Sequence, residues 1–477
     1  MLKRYSARSA FSICLIFAVL YSVLSVVRHL HFGSYGFDLG ITDQVVWLYS
    51  RFQSPITTVQ AYPFTSILTD HVEFIYILLA PFYWIYRNPV TLLVLQAVAL
   101  SFSGMPIYLL ARKRSLMPAL SFAILVSYLL FFGIQNAIWS DVHSISFGAA
   151  ALSWFVYFLD TRNAVWTVVT VVLALLCKED MAVLTALVGL VYVVKRRDRL
   201  SLSIVIISFM YLGIIFGIYF PYFTRDGYRY ASSAGLGTHL GVTALFDTPD
   251  KRSTWLYALA WFGFLPLLSP FALIPAVGDL AHYFVLAPML TAAQGIFMQY
   301  RVTLGVLLVV PVIDTIGRWK KFNSVPMAIY LIVCALALQY VLHLPISYLT
   351  KRWFWAESKS VTDIQAMIAS IPSDASVVSQ NNITPHMSER RLIFTLYPTT
   401  KDFVTNSPCG VKNCDWFRWA GNPAYLIVDT STDWDERSFL VPRTQFIAGL
   451  TNMRQNGNIM LLHRSYEASV YRVIRNP

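Results

Sequence analysis

The stretch Gly36-Phe-Asp-Leu-Gly-Ile-Thr-Asp-Gln44 stands after the first long apolar run, Phe11 to Val27, and sets two carboxylates among glycines. Ionisable groups beside a bilayer are costly unless paired or in contact with water, so a gathering of them marks a functional site by default. The pattern recurs along the chain. Asp70-His71 closes the same loop, Asp141-Val-His143 follows a later apolar run, and Lys178-Glu179-Asp180 follows another. Basic clusters, Arg112-Lys113-Arg114, Lys195-Arg196-Arg197 and Arg318 with Lys320-Lys321, end the runs in between. This alternation predicts an α-helical polytopic membrane protein with its chemistry on the non-cytoplasmic face.

Composition supports that class. Apolar residues are 56% of the 477 and charged residues 13%, against about 25% charged in a soluble globular chain. Mean hydropathy is +0.56. The net charge of +12 comes from basic residues punctuating apolar runs rather than striping one domain. That is the footprint of the positive-inside rule and argues against a nucleic-acid partner. Cys14, Cys177 and Cys334 lie in or beside apolar runs and read as packing residues. Cys409 and Cys414 close a short polar loop, where a disulfide or two free thiols are both open.

A helix crossing the hydrocarbon needs about 20 apolar residues. Lys3, Arg4 and Arg8 precede the first run and no Ala-x-Ala cleavage site follows it, which places the N-terminus in the cytoplasm. The first outer loop is 29–89, with His71 to Tyr86 read as an interfacial or re-entrant helix. Later runs alternate between acidic and basic ends, and Pro266, Pro270 and Pro275 make 255–284 either a tight pair or a discontinuous helix. The reading is about eleven transmembrane helices over 1–349 in a prokaryotic cell membrane. Residues 350–477 are polar. Runs such as Ala375–Ser379, Tyr425–Val428 and Ile459–His463 alternate with helical stretches at Val361–Ile371 and Gln445–Met453, which predicts a small extracytoplasmic α/β domain.

Each charged motif has an ordinary reading and a chemical one. Asp38 caps the helix entering at Ile41, or is a carboxylate that takes a proton or helps hold a divalent cation. Were 38–46 helical, Asp43 would share a face with Leu39 rather than with Asp38. Asp141 with His143, and Asp70 with His71, suit a metal, a phosphate or a helix cap. No His-Glu-x-x-His and no cysteine cluster is present, which argues against a tight structural zinc site. Lys178-Glu179-Asp180 is either a solvated hairpin turn or a phosphate contact beside two more acids. Arg225 and Arg229, with Arg301 in Gln299-Tyr-Arg301, are phosphate contacts or snorkelling side chains.

The same residues carry a resemblance. Phe37-Asp-Leu-Gly-Ile-Thr-Asp-Gln44 resembles the signature of a large family of predicted prokaryotic polytopic membrane proteins, a domain-of-unknown-function family. The likeness continues through His71, Ala80-Pro-Phe-Tyr83, Leu95-Gln-Ala97, Pro106–Arg112, Asp141-Val-His143, Lys178-Glu-Asp180, Gln299-Tyr300 and Pro385-His-Met-Ser388. It departs at Val72-Glu73, where the pattern has phenylalanine followed by small residues. The family in turn resembles the GT-C glycosyltransferases, which take sugars from polyprenyl phosphate or diphosphate carriers. The resemblance implies Asp38 as leading base or metal ligand and Asp141 as second, with a divalent cation, Mg or Mn, as the cofactor such ligands would hold. It implies substrate contacts among Asp43, His71, His143, Lys178, Glu179, Asp180, Arg225 and Arg301. The reading from another class is a transporter or lipid-binding protein, with the proline-rich segment lining a route across the bilayer.

Overall fold

Apolar runs fold as helices because a backbone in hydrocarbon must satisfy its own hydrogen bonds. The computed structural model describes residues 2–59, 66–224, 228, 241–286, 291–398, 417–418 and 421–475. Among these, Ser6–Leu30, Val90–Lys113, Pro118–Trp139, Arg199–Phe223 and Gln299–Arg318 are long and apolar enough to cross a membrane. Ile75–Trp84, Ala164–Leu175, Pro270–Val285 and Val325–Val341 are shorter apolar helices. The chain separates into two compact units. One comprises Met1–Ser25, Leu68–Ile75 and Leu93–Thr350, the other Val26–Ile67, Tyr76–Leu92 and Lys351–Pro477.

The first unit is helical. Ser144–Thr161 packs on Ala164–Leu175, and Asp180–Arg196 packs on Arg199–Ile214. Both hairpins turn in the same way. Arg162 and Arg197 take left-handed φ of 58° and 52°, which stops the first helix. Asn163 and Asp198 then accept from the backbone N–H of Trp166 and Ser201 and start the second. Outward-facing Leu202, Ile206, Phe209 and Met210 on Arg199–Ile214 form the apolar surface expected of a helix solvated by lipid.

The proline-rich segment resolves into two helices, Pro249–Trp261 and Pro270–Ala281, joined by a 3-10 turn at Leu265–Leu268. Gly263 and Phe264 enter that turn at φ 58° and 57°. A Cβ at Gly263 would collide with the Tyr330 ring, so only glycine fits. Beside the turn, Trp261 is fully buried and donates to the Ser127 carbonyl at 2.8 Å, with Phe131 and Phe262 stacked 5.8 Å apart.

The second unit is built on a five-stranded sheet of order β2-β1-β5-β7-β6. Its strands are β1 (Val377–Ser379), β2 (Ile393–Thr395), β5 (Tyr425–Asp429), β6 (Ile459–Ser465) and β7 (Ala468–Val473). The short pair β3 (Tyr397–Pro398) and β4 (Phe417–Arg418) forms a second, two-stranded sheet. β1 runs parallel to β2 and β5, while β5/β7 and β7/β6 are antiparallel. Alternate residues Leu426 and Val428 of β5 meet Phe446, Leu450 and Met453 of the helix Arg443–Gln455 in one apolar core. The helix Lys359–Ala369 packs on β5, β6 and β7. The C-terminal part of the chain thus carries a small mixed sheet with helices, within a unit that also takes in Val26–Ile67 and Tyr76–Leu92. Cys409 and Cys414 lie outside the described residues.

Candidate functional site

Asp38 lies in a single π-helical turn, Gly36–Gly40, that runs straight into the helix Ile41–Ser50. Gly40 stands at the N-cap position of that helix, and Asp38 lies two residues before it, within the turn. The turn is fixed from within its own unit. Asn381 accepts from the Gly36 N–H through its backbone carbonyl at 2.7 Å and through Oδ1 at 3.0 Å. A Cβ at Gly36 would come within 2.9 Å of Thr384 Cβ, and one at Gly40 within 3.3 Å of Thr384 Cγ2. The close backbone approach that these glycines permit is thus to Thr384, in the 3-10 turn Thr384–His386. Asp38 itself stays partly exposed.

Asp43 has the opposite setting. It is fully buried and accepts from the Ser388 hydroxyl at 2.6 Å and from the Tyr83 hydroxyl. Burial pushes it up to about 7 against the pull of those two donors. Glu389, beside Ser388, is raised to about 8 by burial and by the Asp43 charge, with Arg87 at 3.0 Å as its counter-ion. The neighbouring Gln44 closes the wall. Its Oε1 accepts from the Thr57 hydroxyl and the Thr58 N–H, each at 2.8 Å, and its Nε2 donates to the Arg390 carbonyl at 2.9 Å.

In the helical unit, Lys178-Glu179-Asp180 is an ion-pair network centred on a buried Glu179, with Lys178 and Asp180 partly exposed, rather than a solvated turn. Glu179 is 1% exposed. Its Oε1 lies 2.7 Å from His71 Nδ1 and accepts from the Tyr228 hydroxyl at 2.8 Å, while Oε2 accepts from the Val72 N–H at 3.1 Å. Burial alone would lower His71, but the adjacent Glu179 carboxylate lifts it to about 9. Lys178 and Asp180 pair at 2.9 Å, and His282 Nε2 stands 3.4 Å from the same carboxylate oxygen. Glu73, at the point where the family pattern is broken, is engaged by the Ser144 hydroxyl at 2.5 Å and raised by burial.

Asp141 is fully buried in the same unit, at a left-handed φ of 67°. Gln96 holds this turn, donating to the Asp141 carbonyl at 2.6 Å and accepting from the His143 N–H at 2.9 Å. Arg301 is also fully buried, its guanidinium 4.7 Å from the Tyr283 ring centre and hydrogen-bonded to the Ala293 carbonyl. Arg225 and Arg229 lie outside the described residues. His71, Glu179, Lys178 and Asp180 are therefore brought together, and Asp141 with His143 forms a neighbouring-residue turn in that unit. Asp38 and Asp43 belong to the other unit.

Sequence reasoning assigned no role to several partners. Tyr83, Gln96 and Ser388 each sit inside a motif that carried the family resemblance, and that membership was their one signal. His282 and Glu389 had none, since Asp180 and Arg87 are far away along the chain. Among the described residues no three His, Cys, Asp or Glu side chains converge as a metal-ligand set.

The chain belongs to the DUF2079 family of predicted membrane proteins, whose model matches residues 28–436. No curated protein matches it in sequence. Among solved structures, ArnT from Cupriavidus metallidurans in the apo state is similar, with a TM-score of 0.54 at 12% identity. The match covers 95% of this chain and 97% of that one. At such identity the likeness speaks to fold alone: the chain folds like ArnT over nearly its whole length.

Proposed function

We propose that this DUF2079 protein is a membrane glycosyltransferase that transfers a sugar from a polyprenyl-phosphate-linked donor to an acceptor on the extracytoplasmic face. The fold likeness over nearly the whole chain supports the enzyme class. The observation that carries the mechanism is the contrast between two carboxylates five residues apart. Asp43 is enclosed and already accepts two hydroxyl hydrogen bonds, whereas Asp38 is partly exposed on a turn braced by Asn381 and Thr384.

On this reading Asp38 takes the proton from the acceptor hydroxyl as it attacks the anomeric carbon, and the lipid phosphate leaves. Asp43 holds the helix behind it. Asp38 as a single carboxylate also fits magnesium or manganese, which are commonly held by one or two carboxylates together with substrate phosphates. Bound there, the cation would neutralise charge on the leaving phosphate. Lys178, partly exposed, is the proposed cation for an anionic substrate group in the helical unit. The topology that goes with this reading has about eleven spans, with the N-terminus in the cytoplasm and the acidic motifs outside.

The test is turnover of a polyprenyl-phosphate sugar by purified protein. Asp38→Asn is expected to lower turnover by at least about a hundredfold while leaving expression and melting temperature unchanged. Full activity in that variant removes Asp38 from the mechanism.

A further inference from the structure

A second site lies at the other end of the helical unit, where the basic clusters gather. Here a cavity of about 310 Å³ opens among four helices, Gly104–Lys113, Asp180–Arg196, Pro270–Ala281 and Val302–Arg318. That volume is at the lower end of the range for small-molecule pockets, roughly 300–1,000 Å³. Its lining is layered. Leu110 lies one turn before Arg114, Val191 one turn before Lys195, and Val310 one turn before Asp314, so each helix lines the cavity with an apolar residue followed by a charged one. Ala272, near the start of a helix running the other way, adds to the apolar layer. The cavity is therefore apolar in depth and charged at its mouth.

The mouth is also electrically unbalanced. Asp160 is shared by Lys113 at 2.9 Å, Arg196 at 2.7 Å and Arg114. Asp314 is shared by Lys195 at 3.3 Å and Arg318 at 2.6 Å. Of the residues that line the cavity itself, Arg114, Lys195 and Arg196 are cationic and Asp314 is acidic, so the lining is net positive around an apolar floor. Arg114 and Lys195, whose side chains are 39% and 34% exposed, still have N–H groups to offer a ligand. An amphiphile with an anionic head answers both features. Basic pockets between transmembrane helices on the cytoplasmic side hold acidic lipid head groups for the same reason.

We propose that this cavity is a binding site for an anionic phospholipid, its phosphate at Arg114 and Lys195 and its glycerol and upper acyl carbons against Leu110, Ala272 and Val310. The site is separate from the sugar-transfer residues and stands whether or not that reaction is the right one. A free phosphate monoester shares the head-group chemistry but has nothing to place on the apolar floor.

Native mass spectrometry of the full-length protein, supplied with phosphatidylglycerol, phosphatidylcholine or glycerol phosphate, tests the assignment. Phosphatidylglycerol is expected to be retained over phosphatidylcholine and to resist displacement by glycerol phosphate. Lys195→Gln and Arg114→Gln should each weaken retention roughly fivefold. Lys320→Gln, at the same end of the bundle but outside the cavity, should leave it unchanged. Ala272→Leu fills the apolar layer without touching a charge and should also expel the lipid, which keeps the test decisive if a charge variant fails to fold. Equal retention of both lipids, or equal weakening by Lys320→Gln, overturns the proposal. Ready displacement by glycerol phosphate overturns the lipid as occupant in favour of a soluble anion.

Discussion

Asp43 shows what enclosure does to one carboxylate. An unfolded aspartate titrates near pH 4, but here burial raises Asp43 to about 7 and Glu389 to about 8. Across that window the folded chain keeps protons on these two groups that the unfolded chain has released, so their contribution to stability falls as pH rises from about 4 to about 8. Asp43→Asn stays neutral throughout and is expected to flatten this slope. Thermal unfolding of the two proteins near pH 5 and near pH 8 checks it: the wild type should lose more melting temperature than the variant. An equal loss in both would place the slope elsewhere. The residues that make this environment, Tyr83 and Ser388, stand 40 and 345 positions from Asp43. Nothing local in Gly36–Gln44 could announce them, which is why the carboxylates were legible as a motif while their different burial was not.

At the scale of elements, local signal and structure agree where periodicity is strong. The helices Lys359–Ala369 and Arg443–Gln455 and the strands β1, β5 and β6 fall on runs that read as such in the sequence. The long apolar runs form helices for the reason given by their composition. The charge triplet at 178–180 was harder, because three consecutive charges look solvated until His71 and His282 arrive from elsewhere. The Gly36–Gly40 turn is the element whose packing is most exacting. Gly36→Ala places a Cβ 2.9 Å from Thr384 Cβ and is expected to cost about 1–3 kcal/mol, as overpacking does. Thr384→Gly opens that space, so the double variant should be more stable than the sum of the single changes predicts. A double-mutant cycle on melting temperature measures the coupling, and strict additivity would show that the two elements are not in register.

For the whole molecule, the alternation of acidic and basic helix ends makes a topological prediction. A reporter fused after Pro477 is expected to be active outside the cytoplasm, and a cysteine in place of the partly exposed His143 should be labelled by a membrane-impermeant thiol reagent from outside intact cells. Cytoplasmic activity of the fusion would reverse the orientation. The charge triplet then has a consequence for biogenesis. On this topology Lys178-Glu179-Asp180 is the tip of a hairpin that the insertion machinery must carry through hydrocarbon, at about 2.5–3.5 kcal/mol for each isolated charge at the centre. Lys178 and Asp180, 2.9 Å apart, travel as a nearly neutral couple. His71 was synthesised 108 residues before Glu179 and is already waiting for it. His282 emerges later and reaches Asp180 last. The order of translation thus makes His71 available to Glu179 before His282 is available to Asp180.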